Sequence, residues 1–266
     1  MRIPVYHVDA FASRPFEGNP AAICPLESWL PDATLQAIAG EHNLSETAYY
    51  VPRAGHYELR WFTPEVEVDL CGHATVASAH VIFDQRREVA GKRVAFRSKS
   101  GELGVEKIAE NGTALYALDF PSRPPQALAA DPALEEALGA APQQMLKARD
   151  HLCVFGSEDE VLALKPDMGK LAALDCFAVI VTAPGTDCDF VSRFFAPSKG
   201  VDEDPVTGSA HCTLIPYWAR QLGKTKLFAR QRSQRGGELW CEHRGDRVSI
   251  AGRAVKFSEG TIELET

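Results

Sequence analysis

Two short stretches of the sequence place side chains that could transfer protons. Glu46 lies in Leu44-Ser45-Glu46-Thr47-Ala48, at the entrance of an otherwise apolar predicted strand, and His73 directly follows Gly72. A carboxylate in such a desolvated position is suited to act as a general base. We therefore interpret Glu46 as the acid/base, with a capping or surface glutamate as the alternative.

His73 stands at the start of a predicted core helix. The helix dipole there lowers the pKa of an imidazole, so we expect His73 to be neutral and to donate a hydrogen bond or a proton to the substrate. A core histidine satisfied by the neighbouring loop is the alternative.

Asp69 and Asp204 are interpreted as N-caps of two core helices, Asp204 because Pro205 follows at the expected first helical position. Asp204 has a second predicted role, facing the ligand or orienting His73.

Cys71 precedes Gly72 and His73. A thiol at a helix start can act as a nucleophile or base, which leaves an amino-acid epimerase or racemase open. A two-base racemase needs a second thiol, and the corresponding stretch of the second half, Pro205-Val206-Thr207, has none. We therefore predict that Cys71 is a packed structural thiol. Asn19 either places an amide beside the ligand or simply forms the turn before Pro20.

The elements that must position these side chains occur twice in the chain. In each copy an alternating aromatic run predicts a strand, and a helix that is apolar on every side follows, over residues 71–83 and 205–219. Pro216 predicts a kink or an end in the second helix. An internal repeat of this kind predicts two similar lobes. The matching stretches are Arg60-Trp61-Phe62-Thr63-Pro64 with Arg193-Phe194-Phe195-Ala196-Pro197, and Gly72-His73-Ala74 with Gly208-Ser209-Ala210.

The two helix starts are also candidate anion sites. Their first N–H groups lack intrahelical partners, and the dipole favours a negative charge. Gly72 and Gly208 would let a ligand approach the backbone closely. If the halves pack about a pseudo-twofold axis, both helix starts would face one cleft and hold one small carboxylate substrate.

Composition narrows the class of protein. A net charge of -8 argues against a nucleic-acid surface, and no run approaches the length of a membrane-spanning helix. Without a signal-peptide pattern, we expect a cytoplasmic protein. Seven scattered cysteines without Cys-x-x-Cys indicate neither disulfides nor a zinc site. The proline-rich stretch after residue 120 predicts lobes over 1–120 and 121–266, with a return of the last strand to the first lobe left open.

Four motifs occur along the chain, at 16–21 (Phe-Glu-Gly-Asn-Pro-Ala), 44–48, 69–75 and 203–210. In this order they resemble the PhzF family of phenazine-biosynthesis isomerases. The resemblance implies an α+β, diaminopimelate-epimerase-like fold of two lobes, each a curved, mostly antiparallel sheet or barrel around a central buried helix. It also implies a homodimer without cofactor or metal, the proton shuttle at Glu46, the motif histidine at His73 and the motif aspartate at Asp204. Gly72 and Ser209 are placed like residues that hold a substrate carboxylate.

We therefore expect a cofactor-independent isomerase that moves a proton within a small, carboxylate-bearing, cyclic or unsaturated substrate. Glu46 would carry the proton, His73 and Asp204 would assist, and Asn19, Gly72, Gly208 and Ser209 would bind the substrate. An epimerase or racemase using Cys71 is one alternative. A non-catalytic binding protein on the same fold is the other.

Overall fold

The computed structural model describes residues 1–85, 93–110 and 112–264. They form two compact units. The first contains Met1–Asp119 and Ala251–Thr266, and the second contains Phe120–Ile250. The final strand of the chain is therefore part of the first unit.

Within residues 1–85, 93–110 and 112–264 the units contain seventeen strands and six α-helices. The strands are β1 (Arg2–Ala10), β2 (Asn19–Pro25), β3 (Glu46–Arg53), β4 (His56–Phe62), β5 (Glu67–Val68), β6 (Arg93–Ser98), β7 (Gly101–Glu110), β8 (Thr113–Pro121), β9 (Gln126–Ala127), β10 (Gln144–Lys147), β11 (His151–Val154), β12 (Val179–Pro184), β13 (Phe190–Phe195), β14 (Lys226–Gln231), β15 (Gly237–Arg244), β16 (Arg247–Gly252) and β17 (Ala254–Glu263). The helices are α1 (Asp32–His42), α2 (Gly72–Gln85), α3 (Pro132–Leu138), α4 (Glu158–Ala163), α5 (Met168–Ala173) and α6 (Gly208–Leu222). Among these described residues no helix is long and apolar enough to cross a membrane.

In the first unit a strongly curved sheet surrounds α2. Its strands run in the order β17, β1, β2, β3, β4, β6, β7, β8, and the pairs β2–β3 and β4–β6 are parallel while the others are antiparallel. The helix packs against β1, β2, β3, β7 and β17, so strands from far apart in the sheet reach the same helix. Small residues such as Ala74, Ala77 and Ala79 are fully buried along α2 and permit this close approach.

The second unit repeats that plan around α6. From β10 to β15, successive strand pairs are antiparallel, parallel, antiparallel, parallel and antiparallel. The strands from β1 to β7 in the first unit show the same succession when β5, which pairs with β4, is left out. Within α6, Trp218 donates a hydrogen bond from Nε1 to Thr182 Oγ1 at 2.9 Å and stacks on Phe190. The predicted α+β plan of two similar lobes, each with a central buried helix, is confirmed.

One ion pair recurs in both copies of the repeat. Arg60 donates from Nε and Nη2 to both carboxylate oxygens of Glu67 at 2.8 and 2.9 Å. Arg193 does the same with Glu203 at 2.7 and 3.0 Å. Each arginine lies over an aromatic ring two residues further along its strand. The forked pair joins β4 to β5 in the first unit and joins β13 to the loop before α6 in the second.

The predicted N-caps are wrong. Helix α6 begins at Gly208 with Thr207 as its cap, because Asp204 is held back by a hydrogen bond from its N–H to Phe194 O at 3.0 Å. Helix α2 begins at Gly72, and the Cys71 carbonyl accepts from the Thr75 N–H at 3.2 Å, so Asp69 lies outside the cap position.

Helix α6 also continues through Pro216 to Leu222, so of the kink or end predicted at this proline the end is wrong. Proline lacks the N–H that would bond the carbonyl four residues earlier, which belongs to Cys212. The N–H of Arg123 donates to that carbonyl instead, at 2.8 Å. The backbone acceptor is thus satisfied from outside the helix.

Candidate active site

Glu46 and His73 lie side by side in the first unit. Glu46 is the first residue of β3 and pairs with Ala21 of the parallel neighbour β2, whereas His73 is the second residue of α2. Glu46 Oε2 is 3.1 Å from His73 Nε2, and the two side chains are 19% and 7% exposed. The contact has the length of an ion pair without the alignment of a hydrogen bond. A strand start and a helix start therefore bring a carboxylate and an imidazole together in a nearly dry position.

The pKa of His73 is shifted upward in this setting. Burial alone would lower its pKa, but the Cys71 sulfur and the Glu46 carboxylate beside the ring raise that pKa well above its ordinary value. This direction is opposite to the lowering of the His73 pKa that the helix dipole predicts, because the two nearby side chains outweigh the dipole.

Cys71 is the third member of this group. Its sulfur is 3.5 Å from His73 Nδ1, and the residue is buried. Burial raises the pKa of the Cys71 thiol to about 11, and the Glu46 charge acts in the same direction. Near neutral pH the group is a thiol rather than a thiolate, which does not favour a base at this position.

Asn19 lies on the same side of the sheet as Glu46. Side chains two residues apart on a strand point to the same face of the sheet, so Asn19 and Ala21 share a face. Ala21 is paired with Glu46 on the neighbouring strand β3, which places Glu46 on that face as well. Asn19 is fully buried at the first position of β2. Gly18 before it has φ 67°, and a Cβ there would lie 2.1 Å from Ala10 O. Only glycine fits this turn, which sets where β2 begins.

In the second unit a hydrogen-bond network holds the loop before α6. Gln231, buried at the end of β14, accepts from the Thr207 N–H at 2.8 Å and donates from Nε2 to Asp204 O at 2.8 Å and to Thr207 Oγ1 at 3.1 Å. The Thr207 hydroxyl in turn donates to the Asp204 carboxylate. This network fixes both the carboxylate of Asp204 and the start of α6 at Gly208.

Ser209, the second residue of α6, contacts a cation. Arg149 donates from Nη2 to Ser209 Oγ at 3.1 Å. The same guanidinium is bound by both oxygens of buried Asp150, each at 2.9 Å, and lies 4.4 Å from the centre of the Phe177 ring. A planar cation fixed on two sides thus stands beside the predicted carboxylate-holding hydroxyl.

Sequence reasoning did not single out Gln231 or Arg149. Gln231 is the last residue of β14, a strand of mixed polar and apolar residues, and nothing in its neighbourhood marks its partners 24 and 27 residues away. Arg149 precedes Asp150 just before β11, and this adjacent pair of opposite charges was an available signal. The structure places the predicted residues Asn19, Glu46, Gly72 and His73 in the first unit and Asp204, Gly208 and Ser209 in the second.

One group of side chains has the spacing of metal ligands among residues 1–85, 93–110 and 112–264. It consists of Glu46, Cys71 and His73, whose ligand atoms all lie within 4.8 Å of one another. All seven cysteines of the chain are free.

Comparison with known proteins gives a consistent family and fold. The family described as phenazine biosynthesis-like protein (PhzC-PhzF) matches residues 8–260. An uncharacterized isomerase of Pseudomonas aeruginosa is 52% identical over 264 residues, covering 99% of this chain and 100% of the relative. The relative's name supports the isomerase class.

Solved structures agree with this assignment. A PhzF-family phenazine biosynthesis protein of Enterococcus faecalis has a TM-score of 0.95 at 49% identity, covering 99% of this chain and 100% of that chain. A hydroxyproline epimerase of Agrobacterium vitis has a TM-score of 0.63 at 9% identity, covering 98% of this chain and 92% of that chain. The second likeness concerns the fold alone and extends it to epimerases.

Proposed function

Because this chain belongs to the PhzC-PhzF family of phenazine biosynthesis-like proteins, we propose that it is an isomerase that shifts a proton within a small carboxylate-bearing substrate without a cofactor. Glu46 is the acid/base. The observation that carries the proposal is the 3.1 Å approach of the Glu46 carboxylate to the His73 ring at the start of α2. A carboxylate that is largely shielded from water and lies within reach of an imidazole is suited to proton transfer from carbon.

The proposed reaction has two proton transfers and no net change in composition. Glu46 takes a proton from carbon, the C–H bond breaks, and its electron pair moves into an adjacent unsaturated or carbonyl system. Negative charge then develops on the substrate beside the imidazolium of His73, which stabilises it electrostatically. Glu46 returns the proton to a different carbon and is a carboxylate again. The same residue thus acts as base and acid in turn.

Two features support an anionic substrate. The N–H groups at the start of α2 have no partners within the helix, and Gly72 has no side chain to keep a ligand away from them. In the second unit the start of α6 carries Gly208 and Ser209, with Arg149 bound to the Ser209 hydroxyl. Backbone donors, a hydroxyl and a guanidinium are groups that bind carboxylates.

Asp204 assists the reaction in this proposal, and Asn19 contributes an amide to substrate binding. Gln231 keeps the Asp204 loop in place through its hydrogen bonds to Thr207 and to the Asp204 carbonyl. That Asp204 acts together with Glu46 and His73 stays a prediction. The predicted cytoplasmic location and the predicted homodimer likewise stay predictions.

The test is proton exchange in deuterated water. Small unsaturated or cyclic carboxylic acids are incubated with the protein, and deuterium incorporation at carbon is followed by NMR. We expect exchange with the wild type and a loss of about 100- to 10,000-fold in Glu46→Gln, the usual contribution of a general acid/base. Glu41→Gln is the matched control, since it removes an exposed carboxylate at the end of α1.

Two further variants separate the mechanisms. Asp204→Asn is expected to slow exchange while leaving the fold intact, because an amide still accepts from the Thr207 hydroxyl. Cys71→Ala is expected to keep exchange near the wild-type rate. An active Glu46→Gln together with an inactive Cys71→Ala would replace the proposal by an epimerase that uses the thiol.

A further inference from the structure

Three side chains with three different ligand atoms meet at the start of α2. His73 Nε2 is 3.1 Å from Glu46 Oε2 and 3.9 Å from Cys71 Sγ. All three ligand atoms lie within 4.8 Å of one another. A carboxylate, a thiol and an imidazole therefore surround one small volume within the first unit.

These separations are close to those of a tetrahedral metal site. With metal–ligand distances of about 2.3 Å for sulfur and about 2.0 to 2.2 Å for nitrogen and oxygen, neighbouring ligand atoms lie about 3.3 to 3.6 Å apart. The observed distances of 3.1 and 3.9 Å lie on either side of that range. Since all three ligand atoms lie within 4.8 Å of one another, side-chain shifts of about 1 Å would bring them to one cation.

The surroundings also suit a bound cation. Cys71 and His73 are 5% and 6% exposed, so little water competes for their ligand atoms. The backbone at Cys71 is anchored, because Thr75 donates to its carbonyl from both N–H and Oγ1, at 3.2 and 2.5 Å. Glu46 is anchored by the pairing of β3 with β2. Ligands on fixed backbone lose little freedom when they bind a metal.

We propose that Glu46, Cys71 and His73 form an inhibitory binding site for a borderline-soft divalent cation such as Zn²⁺. Sulfur and imidazole nitrogen select such cations and disfavour Mg²⁺ and Ca²⁺, which prefer all-oxygen sites. Binding forms one bond each to sulfur, nitrogen and oxygen, and it releases the thiol proton and the proton on Nε2 to solvent. Three protein ligands leave a fourth position for water.

Inhibition follows from which atoms the cation uses. The Glu46 oxygen and the His73 nitrogen that face each other become metal ligands, so neither is free to move or stabilise a proton. This consequence rests on the proposed function, whereas binding itself does not. Glu46 and His73 would then support proton transfer when the metal is absent and be blocked when it is bound.

Binding is tested directly with Co²⁺ and Zn²⁺ on the whole protein. Co²⁺ is expected to bind one to one with a thiolate-to-cobalt charge-transfer absorption, and Zn²⁺ is expected to displace it. Cys71→Ser should lose the absorption, and His73→Asn should weaken binding by more than about 100-fold, since even outer partners of metal ligands are worth about 10- to 100-fold. Cys212→Ser, a buried thiol of α6, is the matched control and should bind like the wild type.

Deuterium exchange gives the second readout. Zn²⁺ at saturating concentration should stop exchange by the wild type, a chelator should restore it, and Cys71→Ser should be resistant, while Mg²⁺ should have no effect. Equal Co²⁺ affinity in Cys71→Ser and wild type would overturn the site, and metal-saturated protein that still exchanges would overturn the inhibition. A wild type that exchanges no substrate but binds Co²⁺ through Cys71 would refute the proposed function and keep the metal site.

Discussion

Replacement of Glu67 by glutamine should show how strongly the repeated ion pair anchors β5, the short strand before α2. The Glu67 carboxylate accepts two hydrogen bonds from Arg60 at 2.8 and 2.9 Å and one from Lys99 at 2.6 Å. Its side chain is 16% exposed. Hydrogen bonds from Arg60, opposed by burial and aided by Lys99, lower the pKa of Glu67 from 4.5 to about 2. The folded state therefore prefers the charged carboxylate.

The lowered pKa gives the size and the sign of the effect. A difference from 4.5 to about 2 corresponds to about 3 kcal/mol of unfolding free energy, which solvent screening reduces to about 2 kcal/mol. Because the folded-state pKa is the lower one, this stabilisation is fully present above about pH 4.5 and is lost as the pH falls toward about 2. The Glu67→Gln variant lacks this stabilisation at every pH.

The assay is urea unfolding of wild type and Glu67→Gln at several pH values. Near neutral pH the variant should be less stable by about 2 kcal/mol, and the difference should shrink as the pH falls below about 4.5. Glu102→Gln is the control, since its pair with Arg93 is 58% and 56% exposed and 3.7 Å long, and it should change stability little. A difference between wild type and Glu67→Gln that stays constant down to about pH 3 would refute the reasoning.

Two substitutions test the segments that place the site. Gln231→Leu leaves the buried Thr207 N–H without its acceptor and should lower the free energy of unfolding in urea by about 2 to 4 kcal/mol. Deuterium exchange of the substrate should also be slower. A variant as stable as the wild type would contradict the proposed role of the Gln231 hydrogen bonds. Gly18→Ala places a Cβ 2.1 Å from Ala10 O at φ 67° and should cost more than about 3 kcal/mol in thermal unfolding. Gly55→Ala, at φ 80° with nothing within 4 Å of the new Cβ, is its control and should cost about 1 to 2 kcal/mol.

The repeat made the architecture predictable from the sequence. Each copy contains an arginine, an aromatic residue two positions later and a proline, followed by a run of small and apolar residues. Strand alternation and uncharged helices are local patterns, so both strand–helix units could be recognised before the structure was known. Glu46 and His73 were recognised from their own motifs, and their proximity follows from the positions of β3 and α2.

The errors arose where distant residues decide the local structure. The start of α6 could not be placed from Asp204 and Pro205 alone, because Gln231, on a later strand, binds the Thr207 N–H. The continuation through Pro216 depends on the N–H of Arg123, which is far away in sequence. The upward shift of the His73 pKa depends on Cys71 and on Glu46, which lies 27 positions earlier. None of these partners leaves a periodic signal in the sequence.

Comparison of the two helix starts shows how a duplicated element can acquire different chemistry. Both core helices begin with glycine, and each second residue contacts a charged side chain from a strand or the loop before it. In α2 the residue is His73 and its partner is the carboxylate of Glu46, whereas in α6 it is Ser209 and its partner is the guanidinium of Arg149. A carboxylate beside an imidazolium can transfer a proton while the imidazolium stabilises negative charge on the substrate. A hydroxyl beside a guanidinium can only bind an anion. The Ser209→Ala substitution should therefore weaken substrate binding and leave the rate of deuterium exchange at saturating substrate nearly unchanged. His73→Asn should lower that rate.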